Sequence, residues 1–141
     1  MLNKVLFSKQ SDEWETPNDL FLLLNDEFNF TLDPCANDHN HKCKKYYTIN
    51  DNGLEQDWSN EIVFCNPPYS KIKLWVKKCF DEYCKGTTIV LLIPSRTDTK
   101  YFHDYIYNIA KLRFIKGRLH FNNSKLGAPF PSMLCIFKKE Y

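Results

Sequence analysis

Glycine is scarce in this sequence, at four residues in 141. Glycine is what lets a backbone turn with positive φ or press against a ligand. The four are isolated from one another, so a glycine-rich phosphate or dinucleotide loop is excluded. Long apolar runs are missing too. Leu20–Leu24 and Ile89–Ile93 are far too short to cross a bilayer. The opening MLNKVLFSKQ has neither a long apolar core nor a small-residue cleavage site, so no signal peptide and no membrane association are expected. Charge of one sign is lacking: 19 Lys and Arg against 17 Asp and Glu leave +2, which permits a local basic face but does not argue for one. Nor is there an internal repeat, a low-complexity tract or a linker-like stretch. Without a secretory signal, the six cysteines are expected as buried thiols of a reducing compartment rather than disulfides.

What is present is the composition of one globular domain, residues 1–141, with 43% hydrophobic and 26% charged residues. Helix and strand signals alternate. Thr16-Pro17-Asn18-Asp19 reads as a helix start, with Thr16 as N-cap and Pro17 in the first position, and the helix runs to about Glu27. Phe30–Leu32 is a strand ending at Asp33-Pro34, followed by a long polar loop. Ile62–Phe64 is a strand, Lys71–Lys85 a helix stopped by Gly86, and Thr87–Ile93 a strand apolar enough for a sheet centre covered on both faces. Thr99–Ala110 is a helix; Leu112–Ile115, Arg118–Phe121 and Met133–Phe137 close the chain as strands. The pattern predicts a three-layer α/β sheet, with its site where Asp33-Pro34, Asn66-Pro67 and Pro94-Ser95 end their strands.

One of those ends carries recognisable chemistry. Asn66-Pro67-Pro68-Tyr69 stops the run Ile62-Val63-Phe64, because adjacent prolines offer no backbone donors. An amine conjugated to an aromatic ring, such as adenine N6, is a poor nucleophile because its lone pair is delocalised. Two acceptors holding its hydrogens favour a more tetrahedral nitrogen. Asn66 supplies one in its side chain, the carbonyl of Pro67 a second, and Tyr69 a ring for stacking. Acceptors aimed in advance need no rearrangement as charge develops.

Asn-Pro-Pro-Tyr resembles the catalytic motif of amino-methyltransferases that use S-adenosylmethionine. The chain from about Ser11 to Phe137 is similar to the compact bacteriophage DNA N6-adenine methyltransferases. "WETPNDLF", "LDPCA", "QDW", "LIPSRTDTKYFHDYI" and "FIKGRLHF" carry the likeness alongside the motif. The resemblance implies a Rossmann-like methyltransferase sheet, compact and trimmed. It implies a catalytic role for Asn66, Pro67, Pro68 and Tyr69, and S-adenosylmethionine held by Thr16, Asp33, Pro34, Cys35, Asp57 and Trp58. Asp57 would meet the cofactor's adenine amino group, Trp58 would lie along the ring, and Asp51 is the candidate for the ribose. The turn after Asp33 lacks the family's usual Gly-x-Gly, so the methionine end must be held differently. If the chain is phage or prophage encoded, it is expected to act in the cytoplasm of a bacterial host cell.

DNA is the implied partner. Lys42, Lys44 and Lys45 run into Tyr46-Tyr47, joining phosphate contact to base stacking; Lys116, Arg118 and Lys125 form a second basic set. A duplex substrate requires base flipping. The length leaves no room for a recognition domain, so loops or a homodimer partner would read sequence. Cys35, His39, His41 and Cys43 match no common zinc spacing, and no metal is expected. Asn-Pro-Pro-Tyr also serves enzymes acting on RNA or on protein glutamine, and the missing glycines leave open a nucleic-acid-binding descendant without activity.

Overall fold

The computed structural model describes residues 14–139; the stretch weighed as a signal peptide lies outside the described residues. Six strands form one sheet in the order β2-β1-β3-β4-β6-β5. They are β1 Leu32–Asp33, β2 Lys45–Tyr46, β3 Ile62–Cys65, β4 Thr88–Pro94, β5 Lys111–Phe114 and β6 Ser132–Phe137. β1 pairs in parallel with β2 and β3, and β3 with β4, while β6 runs antiparallel to β4 and β5. Among the described residues the α-helices are α1 Asn18–Phe28, α2 Ile72–Cys84 and α3 Lys100–Tyr105. Among the described residues no helix is long and apolar enough to cross a membrane.

Strand side chains alternate between faces, and the core divides accordingly. Ile89, Leu91 and Ile93 of β4 join Val63, Cys65, Met133, Cys135 and Phe137 on one face. Val90 and Leu92 join Phe64, Leu134 and Ile136 on the other. The first face packs against Trp75, Val76 and Cys79 of α2 and Tyr101 and Phe102 of α3. The second packs against Phe21, Leu24 and Phe28 of α1. Each large apolar side chain buried this way contributes about 1.5–3 kcal/mol, in keeping with a β4 that is apolar and buried from Ile89 to Pro94. In α2, Ile72, Trp75, Val76 and Cys79 recur at helical spacing on the core side, and the helix ends before Gly86, whose φ is +103°.

Several expected elements differ. Thr16 does not cap α1: Pro17 precedes the helix without a side-chain cap, and the Thr16 hydroxyl is engaged elsewhere. The first strand is shorter because the Thr31 hydroxyl accepts the Ile62 N–H (2.8 Å) in place of a backbone carbonyl. β2, expected as loop, adds a two-residue edge strand. α3 stops at Tyr105, and the left-handed Asn108 (φ 60°) turns the chain back toward β5. Arg118–Phe121 is not a strand. Asn122 and Asn123 just beyond it are both left-handed, and Asn122 spends its backbone N–H on the Glu15 carbonyl (3.0 Å) rather than on the sheet.

Candidate active site

The parallel strands β1 and β3 end side by side at a cavity of about 720 Å³. With no N–H on Pro67 or Pro68, β3 cannot continue. The Pro68 carbonyl accepts from the Lys71 N–H (3.2 Å), and a short 3-10 turn over Tyr69–Lys71 leads into α2. The third strand end does not reach the cavity: the Ser95 N–H is bonded to the Pro131 carbonyl at 2.9 Å.

Asn66 lines the cavity. Its side-chain nitrogen donates to the Trp14 carbonyl and to Thr16 Oγ1 at 2.9 Å. Its side-chain oxygen is buried and meets no donor among the described residues. The Cys35 thiol donates to the Asn66 main-chain carbonyl at 3.2 Å, so the residue is held from β1 as well. Pro67 is buried and Pro68 lines the cavity. Tyr69 is not a lining residue. Its ring stacks on Trp14, which does line the cavity, and its hydroxyl is buried without a partner, so burial raises the phenol pKa.

Asp33, Pro34 and Cys35 form the wall at the end of β1. Asp33 is almost wholly buried, and its carboxylate accepts the Lys42 N–H at 2.9 Å. Burial outweighs that bond and pushes its pKa up to about 6. Burial also raises the Cys35 thiol, whose sulfur lies 3.7 Å from that of Cys65. In place of glycines, an asparagine builds the turn after β1. Asn37 Oδ1 accepts from the N–H groups of His39 and Asn40, both at 2.8 Å, the local geometry that suits Asn to turns. The loop's cysteines and histidines part company: His41 stacks on Tyr46 at 3.9 Å, Cys43 is buried, and Cys35 faces Cys65.

Asp57 and Trp58 are not brought to the cavity. Asp57 is exposed; its carboxylate takes the Ser59 hydroxyl (2.6 Å) and backbone N–H (3.0 Å) and pairs with Lys85 (3.6 Å). The Ser59 hydroxyl bond is the main reason its pKa is lowered. Trp58 is fully buried, packed near Trp75 with centroids 6.2 Å apart, and its indole N–H is spent on the Gly53 carbonyl (3.0 Å). Asp51 closes a turn by accepting from Thr48 N–H at 2.9 Å.

Of the basic residues, Lys42 is drawn inward. Its ammonium donates to Asn18 Oδ1 (2.6 Å) and lies 3.8 Å from Glu15. Lys44, Lys45, Lys116, Arg118 and Lys125 are exposed, with Lys45 paired to Glu61 at 3.0 Å. The sequence reading missed Trp14, Asn52, Gly53, Leu54, Lys71 and Trp75, all of which line the cavity. Gly53 had a readable signal as one of four glycines: a Cβ there would stand 2.1 Å from the Pro34 carbonyl oxygen, so only glycine fits.

Fold and site together define an α/β protein with a ligand crevice at the carboxyl ends of parallel strands. Residues 4–139 match the family described as DNA N-6-adenine-methyltransferase (Dam), and the chain belongs to that family. It is similar to the DNA N-6-adenine-methyltransferase of Haemophilus phage HP1 (strain HP1c1), 32% identical over 142 residues, covering 93% of this chain and 82% of that protein. It is also similar to the DNA N-6-adenine-methyltransferase of Escherichia phage T1, 31% identical over 110 residues and 77% of this chain. The match spans about half, 46%, of the phage T1 protein's length. Membership of this family implies a methyl donor and makes DNA the expected substrate.

Proposed function

We propose that this chain methylates adenine N6 in DNA with S-adenosylmethionine as donor. The observation that carries this reading is the buried Asn66 side-chain oxygen, which no donor among the described residues meets. It is an acceptor held ready beside a cavity in a chain of this family. Asn66 accepts a hydrogen bond from one hydrogen of the adenine amine and the Pro67 carbonyl from the other, which frees the nitrogen lone pair; Pro68 holds the turn rigid, and Tyr69 stacks behind Trp14, which lines the cavity. No side chain has to remove a proton first, because the product ammonium is acidic and yields its proton to water. The target base is flipped out of the duplex, since N6 is otherwise out of reach.

S-adenosylmethionine supplies an electrophilic methyl group on a sulfonium sulfur. The cavity suits a molecule of that mixed character. Pro34, Leu54 and Trp75 offer apolar and aromatic surface, and the buried Trp75 indole N–H has no acceptor among the described residues. Asp33 and Asn52 offer polar groups for hydroxyls and ammonium, with Cys35 completing the wall, while Thr16 spends its hydroxyl on Asn66 rather than on the cofactor. We read the sheet, with α1 on one face and α2 and α3 on the other, as a trimmed three-layer Rossmann-like methyltransferase domain acting in the host cytoplasm. Lys44 and Lys45, then Lys116, Arg118 and Lys125, meet phosphates. Loops or a homodimer partner read the sequence.

The test is incubation with methyl-labelled S-adenosylmethionine and duplex DNA, digestion to nucleosides and chromatography. Label in N6-methyladenine is expected, and none in a duplex whose adenines are replaced by 2-aminopurine, which lacks that amine. Label appearing only with RNA or protein as substrate would overturn the reading.

A further inference from the structure

We propose that Trp14–Thr16 is a positioning device for Asn66, in which the Trp14 carbonyl and the Thr16 hydroxyl together hold the amide nitrogen so that the oxygen is the end offered to substrate. This rests on the reading of Asn66 as acceptor for the adenine amine. The two ends of an Asn amide are nearly the same size, and one flipped by half a turn would point donors at an incoming donor. The Trp14 carbonyl can only accept, so the amide end facing it must be the nitrogen. Thr16 Oγ1, 2.9 Å away, takes the second hydrogen. With both hydrogens committed, the oxygen is left buried and unmatched. Thr16 is itself only 4% exposed, so water does not compete for the bond.

The device is anchored. The Glu15 N–H donates to Asn122 Oδ1 (2.6 Å), and the Asn122 N–H returns a bond to the Glu15 carbonyl (3.0 Å). On the opposite side the Cys35 thiol fixes the Asn66 main-chain carbonyl. The freedom removed is rotation of the amide plane. Thr16 therefore acts through another residue, and its loss is expected in the chemical step rather than in binding.

Thr16→Val keeps the shape and removes the acceptor; Thr16→Ser keeps the hydroxyl. In single-turnover methylation, Thr16→Val should fall about 10- to 100-fold, the scale of a misplaced reacting group. The dissociation constants for S-adenosylmethionine and DNA should stay near wild type, and Thr16→Ser should recover most of the rate. Added to Asn66→Ala, Thr16→Val should cost nothing further. Independently of turnover, the ¹⁵N-resolved side-chain NH₂ protons of Asn66 should shift in Thr16→Val and not in Thr16→Ser. An unchanged rate in Thr16→Val, a loss confined to cofactor affinity, or unmoved Asn66 amide resonances would each overturn the proposal. If the wild type methylates no adenine, the functional reading fails, while the amide resonances still decide whether the lock exists.

Discussion

The ring of Tyr69 lies 5.8 Å from that of Trp14, with their planes inclined by 18°. Phe130 meets Tyr69 edge-on at 5.3 Å, yet the Tyr69 hydroxyl finds no partner among the described residues. A buried hydroxyl left unmatched costs about 1–3 kcal/mol. Tyr69→Phe should therefore raise stability by about 1 kcal/mol in urea unfolding and keep most single-turnover activity. Tyr69→Ala should lose both. A dead Tyr69→Phe would show that the hydroxyl meets the substrate.

Asn66→Ala removes the preorganised side-chain acceptor of the site, leaving the Pro67 carbonyl alone to hold the amine. Turnover should fall about 100- to 1000-fold, with S-adenosylmethionine affinity by calorimetry little changed. Near-normal turnover would exclude Asn66 as the group that holds the amine.

Asp33 sets a pH dependence of stability. Burial raises its carboxyl from the model-peptide value of 3.8 to about 6. Between those values the folded chain holds a proton that the unfolded chain has released. The stabilising contribution is thus complete below pH 3.8 and is lost as pH rises through 6. Asp33→Asn should be more stable than wild type at pH 8, by up to about 3 kcal/mol, and no different near pH 4. Unfolding curves at the two pH values check this; an equal difference at both would mean the charge is not the cause.

Asp57→Ala should leave S-adenosylmethionine affinity unchanged, since the carboxylate is occupied by Ser59 and Lys85 at the surface. Trp58→Phe should instead cost about 1–3 kcal/mol of stability, because the Gly53 carbonyl loses its buried donor. Calorimetric titration of both variants separates them: a loss of affinity in Asp57→Ala with unchanged stability would restore it to the cofactor site.

DNA affinity should fall as salt rises, and replacing Lys44 and Lys45 together with Ala should lower the log–log slope by about 1. The full value for two phosphates is not expected, because Lys45 already spends part of its charge on Glu61 at 3.0 Å. An unchanged slope would move the footprint to Lys116, Arg118 and Lys125.

What could be read from the sequence was whatever short-range chemistry decides. Ile89–Ile93 is apolar at every position, so a strand covered on both faces was plain. Asn66-Pro67-Pro68-Tyr69 ends its strand because prolines forbid otherwise, and Gly86 marks the end of α2. What could not be read depends on partners far along the chain. Thr16 has the local credentials of a helix cap, but its hydroxyl meets Asn66 across 50 residues. Arg118–Phe121 has a strand's residues, but the nearby Asn122 is claimed by Glu15. Asp57 and Trp58 look like one unit in sequence; folding turns one to solvent and the other into the core.

The position of β6 has a consequence for how the protein is made. It is synthesised after the other five strands, yet it stands between β4 and β5 and is buried along its whole length. Until Ser132–Phe137 has emerged from the ribosome, β4 has a naked edge and β5 has nothing to pair with. The crevice residues from Trp14 to Trp75 are translated early, but β4, which pairs with β3 beside them, waits on the last strand for its second neighbour. Nascent chains stalled before residue 132 should carry the reactive motif without a stable site and be readily cut by protease.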